Sequence, residues 1–295
     1  MTAPSDGAIL FYNQIAIAYG KTVYDIIITR HRKDAIMAKI IAFVNHKGGV
    51  AKTTTCTNMG ACLVRKGYRT LVIDGDPQCN LTDTYRAEIH DVATLYDVLI
   101  QDEPAANAIQ HTAGGDILAG DPLLENAEQL MNRIGRENVL RVALQPLAER
   151  YEYILIDTPP LTGILRNNAL VAADSVIVPL TAERYAFSGL SDLAAAVANV
   201  RAYTPNQTLT IEGIVLVKVL PRRKLTRETA ELLPGVCEQL GTRCYQTTIR
   251  EAEAVRLAQA ARQDIYTYAA SCGGRCPVAE YYTALTEEFL MNQGQ

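Results

Sequence analysis

Lys39-Ile-Ile-Ala-Phe-Val-Asn45-His46-Lys47-Gly48-Gly49-Val50-Ala51-Lys52-Thr53-Thr54 is the stretch on which the reading of the fold turns. Its first seven residues are apolar enough for a buried strand, and the run from Thr53 to Lys66 reads as a helix. Between them stand two glycines and a Lys-Thr pair. Glycines let backbone N–H groups turn inward around phosphate oxygens, and a helix N-terminus adds its partial positive charge. In such a loop Lys52 brings a point charge to the β- and γ-phosphates of a nucleotide. The Thr53 hydroxyl is placed to ligate Mg²⁺. Gly48, Gly49, Val50, Ala51 and Thr54 complete the expected nucleotide-binding turn, with Lys47 at its start.

Outward from this loop the chain alternates strand and helix. Thr70 to Asp74, Tyr153 to Asp157, Ser175 to Leu180 and Leu209 to Val217 read as further strands. Leu123 to Arg150, Ala186 to Val200 and Thr226 to Leu240 read as helical stretches. Short, nearly all-apolar strands alternating with helices predict an α/β fold: a doubly wound, mostly parallel sheet flanked by helices, as in P-loop NTPases. This places one ATPase domain over residues 37–295. Residues 1–36 do not fit the alternation. Ala8 to Thr29 is apolar and rich in Tyr and Ile, and it ends in Arg30-His-Arg-Lys-Asp34. That stretch is either a leader before a natural start at Met37 or an appended helix or hairpin. No internal repeat or low-complexity segment stands out.

Composition bounds the rest. Of 295 residues, 48% are hydrophobic and 20% charged, as in an ordinary globular protein. No apolar run reaches the roughly 20 residues that span a bilayer, and the first nine residues lack a basic signal-peptide region. These features predict a cytoplasmic protein. Seven cysteines, an odd number, read as reduced thiols. The formal net charge of −4 means that any nucleic acid must be held by a local patch rather than by the overall field.

The loop departs from the common G-x-x-x-x-G-K-[ST] pattern, because His46 and Ala51 occupy the two glycine positions and Lys47 stands five residues before Lys52. Lys47-Gly-Gly-Val-Ala-Lys52-Thr53 resembles the deviant Walker A motif of the ParA/MinD ATPases, and of the ParA/Soj partition type in particular. Leu71-Val-Ile-Asp74-Gly-Asp76-Pro-Gln-Cys-Asn-Leu-Thr82 resembles that family's D-x-D-P-Q-x-N-x-T segment. Tyr153-Ile-Leu-Ile-Asp157-Thr-Pro-Pro160 looks like its Walker B and second switch. Asn168 to Leu180 and Gly189 to Leu193 follow the same pattern, so the resemblance covers about residues 38 to 194. It implies that Lys47 reaches across a nucleotide-sandwiched homodimer to the partner's phosphates, as an arginine finger does. It also implies that Asp76 orients or activates the attacking water. Asp157 is then expected to hold Mg²⁺ through a water, with Asp74 supporting near the metal. ATP and Mg²⁺ are the implied ligands. Thr247-Thr-Ile-Arg250 and Val255-Arg-Leu-Ala-Gln-Ala260 match a C-terminal family segment only loosely, the family's Pro-Arg-Asn being absent.

The family further implies that the ATP-bound dimer holds DNA without sequence preference through basic residues of the C-terminal third. Arg222, Arg223, Lys224 and Arg227 are the candidates, with Arg250, Arg256 and Arg262 as further ones. Phosphate contacts of this kind release counterions and make affinity salt-sensitive. The expected activity is slow ATP hydrolysis stimulated by a ParB-like partner. Its expected purpose is the segregation or positioning of plasmid or chromosome DNA, or of other cargo, on the nucleoid. Three alternatives belong to other classes. A MinD-like membrane cycler would end in a basic amphipathic helix, whereas Ala279 to Asn292 carries Glu and neither Lys nor Arg, which argues against a membrane. An iron–sulfur scaffold ATPase would need more than the close pair Cys272 and Cys276. A nucleotide-gated adaptor would bind ATP and hardly hydrolyse it.

Overall fold

Seven strands form one sheet in the order β3-β4-β2-β5-β1-β6-β7. The computed structural model describes residues 37–184, 186–273 and 276–293. The strands are β1 (Lys39–Phe43), β2 (Thr70–Asp74), β3 (Ile109–Thr112), β4 (Gly115–Leu118), β5 (Tyr153–Asp157), β6 (Ser175–Thr181) and β7 (Thr210–Val217). All neighbouring pairs are parallel except β3 with β4, an antiparallel hairpin at one edge. The longer helices are α1 (Lys52–Arg65), α2 (Ile164–Ala172), α3 (Ser188–Tyr203), α4 (Lys224–Gln239), α5 (Glu253–Ala260), α6 (Ile265–Cys272) and α7 (Pro277–Gln293).

Strand side chains alternate between two faces, and each face has its own core. Ile41, Phe43, Val72, Leu155, Ile177 and Val215 pack with Cys56, Met59 and Leu63 of α1 and with Tyr282, Leu285 and Phe289 of α7. Ala42, Leu71, Ile73, Ile154, Ile156 and Val176 pack on the other face with residues of α2, α3 and α4. This is the doubly wound arrangement that the all-apolar strands predict. No helix among the described residues is long and apolar enough to cross a membrane.

Three parts of the chain differ from the sequence-based expectation. The stretch Leu123 to Arg150 is not one helix. It consists of short turns at Pro122–Asn126, Ala127–Leu130, Arg136–Asn138, Val139–Leu144 and Gln145–Leu147. Gly135 at φ +74° breaks it, as does Met131, which leaves helical geometry at ψ 68°. The hairpin β3–β4 was not expected at all, because polar Gln110 and His111 interrupt any apolar run. It turns at Ala113-Gly114, and Gly115, which opens β4 and pairs with Thr112, stands at φ +120°. The separate helices α5, α6 and α7 were likewise not distinguished. The expected extension over residues 1–36 lies outside the described residues.

Candidate nucleotide site

The C-terminal ends of β1, β2 and β5 converge where such sheets take ligands. Register sets Asp74 directly beside Asp157 and Phe43 on the other side of Asp157. Gly75 lets the two ends close. Its N–H donates to the Asp157 carbonyl at 3.0 Å, and a Cβ at that position would stand 2.7 Å from the same oxygen.

The loop after β1 is started by Asn45. Its side-chain amide donates to the Pro179 carbonyl at 2.8 Å, and its Oδ1 accepts the Lys47 N–H at 3.0 Å. Gly49 at φ +75° and Ala51 at φ +60° then turn the chain into α1. Alanine in that left-handed position carries strain of about 1 kcal/mol. The N-terminus of α1 has no side-chain cap, so its first-turn N–H groups are left for an anion. Lys52 is buried, with Nζ 3.3 Å from the Lys47 carbonyl. Burial lowers the pKa of its ammonium, while Asp157 and Asp76 act in the opposite direction.

Thr53 Oγ1 donates to Asp157 Oδ2 at 2.5 Å. Asp157 is wholly buried, and its Oδ1 has no hydrogen-bond partner among the described residues. Burial, and then Asp74 beside it, push this carboxyl well above the usual range, against the pull of Thr53 and Lys52. An orphaned buried oxygen next to a threonine hydroxyl, one strand end from a second carboxylate, is a donor set that suits a hard divalent cation and its waters. The residues present therefore fit Mg²⁺.

Asp74 is engaged differently. Its Oδ2 accepts from Thr82 N–H and Thr82 Oγ1, both at 2.7 Å, and its Oδ1 accepts from Asp76 N–H at 3.2 Å. Thr82 Oγ1 in turn accepts the Gly120 N–H at 2.8 Å. Asp74 thus ties the segment after β2 to the end of β4. Burial pushes its carboxyl up to about 6, and these donors partly offset the shift. Asp76 lines the cleft, and its Oδ1 accepts the Gln78 N–H at 3.0 Å.

The cleft in front of the loop measures about 490 Å³. Gly48, Gly49 and Ala51 to Thr54 form one wall, and Val217, Lys218 and Ile249 to Ala252 line it as well. Val50 is buried beneath the loop. Exposed Lys47 pairs with Glu183, which Thr181 Oγ1 also contacts at 2.8 Å. The Lys47 ammonium holds the Glu183 carboxyl below its usual range.

Several residues that hold this cleft were not singled out from sequence. Asn58 Oδ1 accepts the Ile265 N–H at 2.8 Å, and Gln259 Nε2 donates to Thr54 Oγ1 at 3.0 Å, pinning α1 to α6 and α5. Lys218 Nζ donates to the Gly49 carbonyl at 2.7 Å. A lysine directly after the apolar run Ile214 to Val217 was the available signal for Lys218. The partners of Asn58 and Gln259, about 200 residues away, leave no local trace.

The basic residues fall into two groups. Arg222, Arg223, Lys224 and Arg227 are exposed around the start of α4. Among the described residues only Lys224 of these four is ion-paired, at 3.5 Å with Glu228. Arg250 and Arg256 line the cleft, Arg250 also lies 5.7 Å over the Tyr281 ring, and Arg262 pairs with Asp83 at 3.0 Å. Arg250 and Arg256 thus lie at the cleft, and Arg262 is tied to it through Asp83, which lines it; none of the three belongs to the basic turn.

A family model described as an AAA domain matches residues 38–211. The sporulation initiation inhibitor protein Soj of Bacillus subtilis (strain 168) is 37% identical over 260 residues, which is 87% of this chain and 100% of that protein. The chromosome partitioning protein ParA of Myxococcus xanthus (strain DK1622) is 38% identical over 224 residues, 75% of this chain and 76% of that one. Cobyrinic acid a,c-diamide synthase from Mycobacterium smegmatis, solved with bound ATP analog and magnesium, superposes with a TM-score of 0.73 at 28% identity. It covers 88% of this chain and 97% of that one.

Proposed function

The chain belongs to the family of ParA/Soj-type partition ATPases, and on that footing we propose that it is an ATP-dependent dimerising switch acting on DNA. It binds Mg-ATP, closes into a homodimer and holds DNA without sequence preference. Hydrolysis, slow alone and stimulated by a ParB-like partner, then releases the DNA. The chain would work in the cytoplasm, on the nucleoid, to segregate or position DNA or cargo. One observation carries this reading. A buried lysine, a threonine hydroxyl and a carboxylate with an unpartnered oxygen converge below an uncapped helix N-terminus, while a second loop lysine stays exposed at the rim.

The residues divide the work. Backbone N–H groups of the loop and of the first turn of α1 cradle the phosphates, and Lys52 neutralises them from inside the cleft. Thr53 and Asp157 would hold Mg²⁺, Asp157 through a water. When bound, the metal would supply neutralisation of the negative charge on the phosphates. Asp76 orients the attacking water and takes up its proton. Lys47, released from Glu183, delivers its ammonium to the partner subunit's nucleotide. Asp74, already occupied by Thr82 and the Asp76 N–H, fixes the position of Asp76. Exposed arginines at the start of α4 suit counterion-releasing contacts with phosphates.

Binding to random-sequence duplex DNA with ATP and then ADP tests the reading, together with light scattering of two variants. Tight binding with ATP alone, weakening as salt rises, is expected. Lys52→Ala should abolish nucleotide binding, and Asp76→Ala should leave a persistent ATP-bound dimer. An Asp76→Ala protein that stays monomeric with ATP would overturn the dimer switch. DNA binding in neither state would remove DNA from the proposal.

A further inference from the structure

Lys218 stands at the mouth of the cleft, on the strand end beyond β7. Its neighbours are fixed from both sides. Buried Val217 pairs with Thr181 of β6, and buried Val219 donates its N–H to the Ile249 carbonyl at 3.0 Å. Between these anchors Lys218 adopts φ +52°, a left-handed conformation that costs a non-glycine residue about 1 kcal/mol. Strain of this kind persists where the surroundings over-determine it, and it gathers at ligand clamps. Although Lys218 is exposed, its ammonium donates to the Gly49 carbonyl at 2.7 Å, at the centre of the phosphate loop. An ammonium has three donors. A single neutral carbonyl uses one of them, and no other hydrogen bond of Lys218 occurs among the described residues.

We propose that Lys218 is a phosphate-contacting residue of the nucleotide site. Anchored on the Gly49 carbonyl, it brings to the polyphosphate a positive charge additional to that of Lys52. The inference rests on the nucleotide-binding reading above. It adds a residue that lies outside the loop and the segments that follow β2 and β5, on the far side of the sheet from Asp76 in strand order. Glu183 lies close enough for Lys218 to contribute to its lowered carboxyl pKa, behind the larger effect of Lys47. Lys47 is ion-paired with Glu183, whereas Lys218 has no ion-pair partner among the described residues, so its positive charge is open to an anionic ligand.

Charge dictates the signature. A cation that meets the polyphosphate must discriminate by the number of ligand charges, so its removal weakens ATP more than ADP and leaves AMP nearly unchanged. A residue that only shaped the loop through Gly49 would weaken all three alike. Dissociation constants for ATP, ADP and AMP are measured by calorimetry on the full chain and on Lys218→Met, Lys218→Arg and Lys218→Gly. Lys218→Gly keeps the left-handed backbone without steric cost and guards against misfolding of Lys218→Met. Both neutral variants should bind ATP roughly tenfold more weakly, with a smaller change for ADP, and Lys218→Arg should recover most of the affinity. Unchanged ATP affinity, or an equal weakening for all three nucleotides, overturns the role of Lys218 while leaving the nucleotide site in place. A wild-type chain that binds none of the three overturns both.

Discussion

The phosphate cradle and the basic turn before α4 both follow the C-terminal end of a parallel strand, yet they are built in opposite ways. In the cradle, Asp74 and Asp157 are fully buried and Lys52 nearly so, and each of the three is held by at least one hydrogen bond. In the turn, Arg222, Arg223, Lys224 and Arg227 are exposed, and the fold seats the segment through Thr226, Thr229, Leu233 and Cys237 underneath. Cradle residues therefore couple folding to ligand, because each buried charge weighs on stability until something binds it. Residues of the turn are free of that coupling, and changing them alters what the surface attracts.

The largest effect that follows from this contrast is at Asp157. Its carboxylate is buried with one oxygen unpartnered, so the ligand-free chain bears an uncompensated group. Asp157→Asn keeps an acceptor for Thr53 and removes the charge. The variant should be more stable without ligand by about 1–3 kcal/mol, as read from denaturant unfolding near pH 7. Burial raises the folded-state pKa of this carboxyl, so the stability attached to its protonated form is present at low pH and fades as pH rises. The advantage of asparagine must therefore widen from about pH 4 upward. The same variant should lack the stabilisation that Mg-ATP gives the wild type. A less stable variant whose response to Mg-ATP is intact would mean that the cradle does not trade stability for binding.

A smaller effect is expected at Ala51, which holds φ +60° at the entry to α1. Glycine adopts that conformation freely but gives up more entropy on folding. Ala51→Gly should stabilise the chain by about 0.5–1 kcal/mol. Nucleotide affinity should hold or improve, because the strained residue directly precedes Lys52. A drop in the unfolding midpoint would show that the left-handed turn at Ala51 is not strained.

The same contrast explains what could be read in advance. The cradle was legible because its chemistry is local. Lys47 to Thr54 is one contiguous turn, and Asp74, Asp76 and Asp157 end apolar strands whose order the hydrophobic runs announce. The parallel sheet was legible for the same reason. Contacts that close over long sequence gaps were not, among them Gly49 with Lys218, Thr54 with Gln259, Asn58 with Ile265, and Lys47 with Glu183. Each joins residues between 136 and 207 positions apart, and nothing in either partner's neighbourhood specifies the other. Leu123 to Arg150 misled because its apolar spacing is helical while Gly135 and Met131 break it by backbone conformation, which periodicity does not register. The charge run from Arg222 to Arg227 was visible at once. Its grouping apart from Arg250, Arg256 and Arg262 depended on the fold.

The smallest effect on stability should come from the turn itself. Replacing Arg222 and Arg223 together by alanine removes two exposed charges that have no ion-pair partner among the described residues. The unfolding free energy should change by less than about 0.5 kcal/mol. Binding of random-sequence duplex DNA in the ATP state should weaken. More specifically, the slope of log affinity against log salt should shrink by about one for each DNA phosphate that is no longer neutralised. That pairing of a flat stability and a shallower salt slope separates the turn from the cradle more sharply than weaker binding alone would. Weaker binding with an unchanged slope would move the DNA-facing charges elsewhere, and Lys224 and Arg227 would then be the residues to change next. A destabilisation above about 1 kcal/mol would instead mean that the arginines help seat α4, and the two regions would no longer differ in kind.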